Sequence, residues 1–92
     1  MLSHFPIDLN KVDKKDLDKE ILRIGIIAEL DAVSLYEQLA AAAGDEDIRK
    51  VFLDVAKEEK THMGEFHALL LVCDSEQKSE LESGEKEVKE II

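Results

Sequence analysis

Residues that interrupt helices are nearly absent from this chain. Its 92 residues contain one proline, at position 6, and four glycines. From Asp13 to Ala43 the sequence consists of strong helix formers with helical periodicity, and this stretch closes on Gly44. We expect Asp13 to cap this first helix and Gly44 to follow its end, where a positive φ is common. The pattern excludes a strand-based fold and predicts an all-α protein.

A second helix is predicted after the connection "GDED". Asp45 is its expected N-cap, and the helix runs from near Glu46 to about Leu71 or Val72. A connection this short makes the two helices antiparallel neighbours. The predicted fold is therefore an antiparallel two-helix hairpin with a short C-terminal helix or tail.

Three segments follow from composition: an N-terminal segment at 1–12, the hairpin at 13–72 and an acidic C-terminal helix or linker at 73–92. The first segment carries Phe5, Pro6 and Ile7 and is expected to be extended and docked where it is ordered. The last holds seven acidic residues against three lysines. It is either a third helix interrupted near Gly84 or a linker to a further part of a longer protein.

The net charge of the chain restricts the classes of molecule that it can bind. The formal net charge is −10, which argues against nucleic acid and anionic membrane surfaces and favours attraction of cations. The longest apolar run, 68–73, is too short to cross a bilayer, and the N-terminus lacks the apolar stretch of a signal peptide. A single cysteine, Cys73, excludes an internal disulfide and a cysteine-based metal cluster within one chain. These features predict a soluble cytoplasmic protein.

Each predicted helix carries an apolar stripe at steps of three and four residues, and each stripe contains carboxylate or imidazole groups that a simple core would exclude. The first stripe is Leu22, Gly25, Glu29, Val33, Tyr36 and Ala40, and the second is Ile48, Phe52, Val55, Glu59, His62, Phe66 and Leu69.

Three polar members of these stripes are predicted to meet. Glu29 lies 15 residues before Gly44 and Glu59 lies 15 residues after it, so both stand about 22 Å from the turn. His62 is one turn further along the same face of the second helix. Two carboxylates and one imidazole without a thiolate fit iron, manganese or zinc. The alternative is a structural polar cluster.

Three ligands are half of a known arrangement. Four-helix carboxylate metal sites take one Glu from each of two helices and Glu-x-x-His from each of the other two. Glu29 and the "EKTH" of Glu59 and His62 supply half of this set, and a homodimer would complete the four-helix bundle and a centre for two metal ions. Tyr36, two turns from Glu29, is a candidate hydrogen-bond donor to a ligand carboxylate or, equally, a core aromatic residue.

The stretch from Glu29 to His62, "ELDAVSLYEQLAAAAGDEDIRKVFLDVAKEEKTH", resembles the ferritin-like superfamily and, more narrowly, the encapsulated ferritins. This resemblance implies that Glu29, Glu59 and His62 are ferroxidase ligands, with Glu59 bridging two irons, and that Tyr36 is the site tyrosine. It also implies ring-shaped decamers of five dimers inside an encapsulin nanocompartment, with some members fused to the shell protein. The acidic tail is compatible with such a fusion.

Some members of that family carry acidic residues just before and two after the first site Glu, together with a nearby Trp. Here those positions are Ala28, Asp31 and Leu35, so by this resemblance Asp31 is the only remnant of an iron entry site. The expected function is a ferroxidase that feeds iron mineralisation and storage. The alternatives are a rubrerythrin-like peroxide-reducing di-iron protein and a non-catalytic helical-hairpin module held together by metal or packing.

Overall fold

A computed structural model describes residues 8–92, and these form three α-helices. After two short 3₁₀ turns come α1 (Leu17–Ala42), α2 (Glu46–Cys73) and α3 (Ser75–Ile91). The prediction of an all-α fold is confirmed. The expected extended segment with Phe5, Pro6 and Ile7 lies outside the described residues.

The start of α1 differs from the prediction. Asp13 caps a 3₁₀ turn over Lys14–Asp16, with no side-chain hydrogen bond, and α1 begins only at Leu17. Its N-cap is Asp16, whose carboxylate forms an ion pair with Lys19 at 3.1 Å and makes no capping hydrogen bond. The prediction that Asp13 caps α1 is therefore wrong, because the first turn of the polar run adopts 3₁₀ geometry, which often precedes an α-helix.

The hairpin turn spans residues 43–45, because α1 ends one residue earlier than predicted. Ala43, with φ −66° and ψ 136°, leaves the helix directly, and its N–H still donates to the carbonyl oxygens of Leu39 and Ala40. Among the described residues no glycine has a positive φ, so the predicted left-handed conformation of Gly44 is wrong. The prediction for Asp45 is confirmed, since its carboxylate accepts a hydrogen bond from the Ile48 N–H at 3.0 Å.

The core lies between α1 and α2. Its buried apolar residues are Val33 and Ala40 from α1 and Ala56 and Leu70 from α2. Two of these, Ala56 and Leu70, stand one position beyond the predicted stripe residues Val55 and Leu69, and Leu69 itself is 56% exposed. Five of the seven predicted stripe residues of α2 are half-buried, and only Ile48 and Leu69 are exposed. The stripe therefore faces α1 along most of its length, but the fully buried residues lie along one edge of it.

The helices also approach closely near their far ends. A Cβ atom placed on Gly25 of α1 would lie 3.1 Å from the Phe66 ring of α2. Glycine gives this ring room against the backbone of α1. The pair lies beyond the Glu29 level, on the side away from the turn.

The C-terminal segment is a continuous helix. α3 passes through Gly84 without interruption, so the prediction of a break there is wrong and the third helix is longer than expected. Its N-cap, Asp74, accepts a hydrogen bond from the Gln77 N–H at 3.0 Å. No helix in the part of the chain that the structure describes combines the length and the apolar character needed to span a membrane.

The chain leaves much apolar surface uncovered. Its radius of gyration is 16.4 Å, compared with about 12 Å for a compact domain of this length. Exposed large apolar side chains occur on all three helices and include Leu30, Val51 and Val88, which are 48%, 62% and 52% exposed. A hairpin with one helix attached cannot bury both faces of its helices by itself.

Candidate metal centre

Helices α1 and α2 bring the predicted polar residues together. The Nδ1 atom of His62 lies 3.5 Å from Oε2 of Glu59 and 3.7 Å from Oε2 of Glu29. The first contact joins residues one turn apart on α2, and the second crosses the hairpin. The three side chains therefore meet at one level, as the equal distances from the turn indicated.

The burial of the group is uneven. The side chains of Glu29 and Glu59 are 17% and 19% exposed, whereas His62 is 45% exposed. The carboxylates face the space between the helices, and the imidazole stands at the open side of the group. The centre is thus closed by the hairpin on one side and accessible from the other.

Glu29 has an unsatisfied oxygen. Its Oε2 atom is buried and has no hydrogen-bond partner, and it is the only such side-chain atom among residues 8–92. Leaving a buried carboxylate oxygen unpaired is costly unless a cation compensates for it. The Nδ1 atom of His62, at 3.7 Å, is beyond hydrogen-bonding distance.

The spacing of the donor atoms fits a metal ion. One donor atom from each of Glu29, Glu59 and His62 lies within 4.8 Å of the others. Two ligand atoms that each stand about 2.1 Å from one ion are at most about 4.2 Å apart. The two separations that involve His62, 3.5 and 3.7 Å, meet this limit. Carboxylate oxygen with imidazole nitrogen is a donor set for divalent transition metals.

Tyr36 makes an aromatic contact on the turn side of the group. Its ring centroid lies 6.0 Å from that of Phe52, with the two planes tilted by 45°. This contact spans α1 and α2, and such aromatic pairs stabilise beyond the area they bury. A hydrogen bond from Tyr36 to a ligand carboxylate stays a prediction.

Asp31 lies away from the three donor atoms. It is 9% exposed and thus buried, and it is not part of the Glu29, Glu59 and His62 group. Two residues along an α-helix correspond to about 200° of rotation, which places it on the opposite side of α1 from Glu29. Its role in iron entry stays a prediction.

One contact beside the centre was not anticipated. Lys60 of α2 forms an ion pair with Glu37 of α1 at 3.1 Å, and the two side chains are 60% and 48% exposed. It joins the helices on the outer side of the hairpin, next in sequence to Glu59. The sequence offers no signal for this pair because both residues belong to a solvated face.

An all-helical hairpin that holds Glu on one helix and Glu-x-x-His on the other at the same level is the half-unit of a ferritin-like carboxylate bundle. The sequence model of the Rubrerythrin family matches residues 20–91. A crystal structure of an encapsulated ferritin domain from Pyrococcus furiosus has a TM-score of 0.83 and 55% sequence identity to this chain, covering 98% of this chain and 94% of that one. The chain belongs to the rubrerythrin family and, within it, to the encapsulated ferritins.

Two curated relatives are longer than this chain. A ferritin-like-encapsulin shell fusion protein from Pyrococcus furiosus is 56% identical over 94 residues, which cover 99% of this chain but 27% of that protein. The encapsulin nanocompartment cargo protein EncC from Myxococcus xanthus is 36% identical over 69 residues, or 72% of this chain and 53% of that protein. The chain therefore spans about a quarter of the first relative and about half of the second.

Proposed function

We propose that two copies of this chain form a di-iron ferroxidase centre, to which each contributes Glu29, Glu59 and His62. The observation that carries the proposal is the buried, unpaired Oε2 atom of Glu29 within one cluster of three donor atoms. An isolated polar cluster would hydrogen-bond this oxygen, whereas a metal site leaves it for the ion.

A second copy supplies what one chain lacks. Three donor atoms leave positions open on one ion, and the half-exposed His62 faces the open side. The two copies together would bring four carboxylates, whose charge of −4 balances two divalent ions. The exposed apolar side chains of α1 and α2, among them Leu30 and Val51, provide surface that association would remove from water. Metal binding is then coupled to dimer stability.

The reaction takes Fe(II) as its substrate. Two Fe(II) ions each release one electron, and one dioxygen molecule takes up both electrons with two protons to give hydrogen peroxide. Glu29 and Glu59 favour the product because hard carboxylate oxygens stabilise Fe(III) over Fe(II). His62 and the carboxylates fix the position of both ions, and no protein nucleophile is required.

The oxidised iron needs an enclosed compartment in which it can be stored as a mineral. By resemblance, the dimers assemble into a ring-shaped decamer, which is open and does not hold a mineral by itself. The two relatives whose names refer to an encapsulin shell and an encapsulin cargo support association of this chain with an encapsulin shell. The proposed location is a nanocompartment in the cytoplasm, where the iron is mineralised and stored.

The test is oxidation of Fe(II) added anaerobically and then exposed to air, followed in the near ultraviolet. We expect wild type to oxidise iron faster than buffer and the double variant Glu59→Ala, His62→Ala to match buffer. The control variant Glu58→Ala, Thr61→Ala changes the exposed residues that immediately precede Glu59 and His62 on α2. It should oxidise Fe(II) at the rate of wild type. Identical curves for wild type and the Glu59, His62 variant would rule out the ferroxidase, leaving a non-catalytic hairpin module.

Native mass spectrometry tests the shared centre separately. We expect Fe(II), added without oxidant, to shift the chain towards dimers that carry two irons. A monomer that binds two irons tightly would contradict a half-site on each chain.

A peroxide-reducing function is the second candidate, and the match to the Rubrerythrin family favours considering it. In that case hydrogen peroxide accepts the two electrons with two protons and becomes water. Comparing the rates of Fe(II) oxidation by dioxygen and by hydrogen peroxide at equal concentration distinguishes the ferroxidase from the peroxide-reducing protein. A much faster peroxide reaction would assign the chain to peroxide reduction.

A further inference from the structure

Helix α3 is attached to the rest of the molecule only near its beginning. Of residues 75–91, all are exposed except Gln77 and Gly84, which are half-buried. Gln77 and Leu81, on the first two turns, border a groove of about 340 Å³ with Arg23 and Ile27 of α1 and Leu70 of α2. Beyond this groove α3 has little protein surface to guide it, so its direction must be set where it starts.

The joint between α2 and α3 is a single residue. Asp74 has φ −135° and ψ 89°, outside the helical region, while α2 ends at Cys73 and α3 begins at Ser75. Its N–H still donates to the Leu70 carbonyl oxygen at 2.9 Å, and its carbonyl oxygen accepts from the Lys78 N–H at 3.3 Å. Because helical hydrogen bonding continues on both sides, the conformation of Asp74 decides the angle between the two helices.

The Asp74 side chain is held at both oxygens. Oδ1 accepts the hydrogen bond from the Gln77 N–H at 3.0 Å, and Oδ2 accepts one from Nη2 of Arg23 at 3.0 Å. Nη1 of Arg23 in turn donates to Oε1 of Glu20 at 2.7 Å, which fixes the guanidinium on α1. One carboxylate thus caps α3 and ties its first turn to α1, 51 residues earlier in the chain.

We propose that the ion pair between Arg23 and Asp74 is a latch that sets the direction of α3 relative to the hairpin. The cap alone would keep α3 helical from Ser75 onwards, but it would leave the joint free to rotate. The contact with Arg23 removes that freedom because it links the joint to a helix that is not its neighbour in sequence. The latch therefore decides where the exposed apolar residues of α3, such as Val88 and Ile91, lie relative to the hairpin.

Packing of Leu81 in the groove is the competing explanation. Leu81 is 41% exposed, so its contact with α1 and α2 is partial. The Asp74 side chain is 13% exposed and its partner Arg23 is 41% exposed, so exposure alone does not rank the two contacts. A variant of each contact separates the two explanations.

The experiment measures the distance between spin labels on α2 and α3. Labels are attached at the exposed positions Lys57→Cys and Glu87→Cys in a Cys73→Ser background, and labelled chains are diluted with unlabelled ones so that only pairs within one chain contribute. We expect a single narrow distance distribution without further substitution. Arg23→Met should shift or broaden it while the helix content measured by circular dichroism stays unchanged.

Two further variants keep the result interpretable. Asp74→Asn retains a good capping residue but loses the charge, so it should broaden the distribution as Arg23→Met does. Arg49→Met removes the other arginine of the chain, which pairs with Glu46 within one helix turn, and should leave the distances unchanged. A distribution unaltered by both Arg23→Met and Asp74→Asn, but broadened by Leu81→Ala, would overturn the latch and assign the direction of α3 to apolar packing.

Discussion

The hairpin and α3 are held in place by different means. In the hairpin, contacts recur along the whole length of α1 and α2, from the Tyr36 and Phe52 rings to the Gly25 and Phe66 approach. Helix α3 depends on one residue, Asp74, and on the first two turns beside it. A structure with distributed contacts keeps its geometry when one is lost, whereas a helix fixed at one end can change direction through a single substitution.

The largest effect is expected at the centre of the hairpin. Glu29→Gln keeps the size of the side chain but removes the charge on the buried, unpaired oxygen. We expect loss of Fe(II) oxidation above background and loss of the stabilisation that anaerobic Fe(II) gives, which is about 2.7 kcal/mol at a free metal concentration 100 times the dissociation constant. Thermal unfolding with and without Fe(II) measures the second effect.

The matched control is Glu37→Gln, which breaks the ion pair with Lys60 on the outer side of the hairpin. It should retain both the activity and the metal-induced rise in Tm. If Glu37→Gln lost as much activity and as much metal-induced stabilisation as Glu29→Gln, the negative charge of α1, rather than a ligand oxygen of Glu29, would be responsible for both effects.

The next largest effect tests which face of α2 is buried. Leu70 is 4% exposed and its neighbour Leu69 is 56% exposed. We expect Leu70→Ala to lower the free energy of unfolding by about 2–5 kcal/mol, and Leu69→Ala to change it by about 0.5 kcal/mol or less. Urea denaturation of the metal-free chain at low concentration provides the measurement. A larger loss for Leu69→Ala would mean that the core lies on the Leu69 edge of the predicted stripe.

A smaller effect concerns the close approach of the helices. Gly64→Ala, on an open part of α2, should stabilise the chain by up to about 1 kcal/mol because alanine favours helix. Gly25→Ala gains the same propensity, but its Cβ would lie 3.1 Å from the Phe66 ring, so its Tm should rise less or fall. An equal rise for both variants would show that Phe66 moves aside freely.

The smallest effect concerns the stability of the start of α3 at acid pH. The pKa of the Asp74 carboxyl lies below its ordinary value of 3.8, first because the Gln77 N–H donates to it and then because Lys19 and Arg23 place positive charge nearby. A lowered pKa in the folded state means that this stabilisation is present above pH 3.8 and is lost as the pH falls through the lowered value.

The Asp74→Asn variant has no titratable carboxyl group at position 74, so it provides the reference for the pH dependence of wild type. We expect the stability difference between wild type and Asp74→Asn to shrink as the pH falls below 3.8, together with a lower protection factor of the Gln77 amide against hydrogen exchange in wild type. A difference that stays constant from neutral to acid pH would show that the charge of Asp74 does not hold the start of α3.

The sequence by itself determined the helical hairpin and the meeting of three side chains. The scarcity of glycine and proline fixed the helical character, and the equal distances of Glu29 and Glu59 from the turn placed them at one level, because the rise per residue of an α-helix is constant. Asp45 was recognisable as a cap since capping depends on residues within three positions of one another.

The tertiary structure decided what depends on residues distant in sequence. Periodicity located an apolar stripe on α2 but not which edge of it the single chain buries, and this is why Leu70 rather than Leu69 lies in the core. The pairing of Arg23 with Asp74 could not be inferred, because each is an ordinary charged residue until α1 and the start of α3 stand side by side. Spacing in the sequence sets the position of a residue along its helix. The rotation of a helix about its axis and its direction follow from how its side chains pack against the other helices.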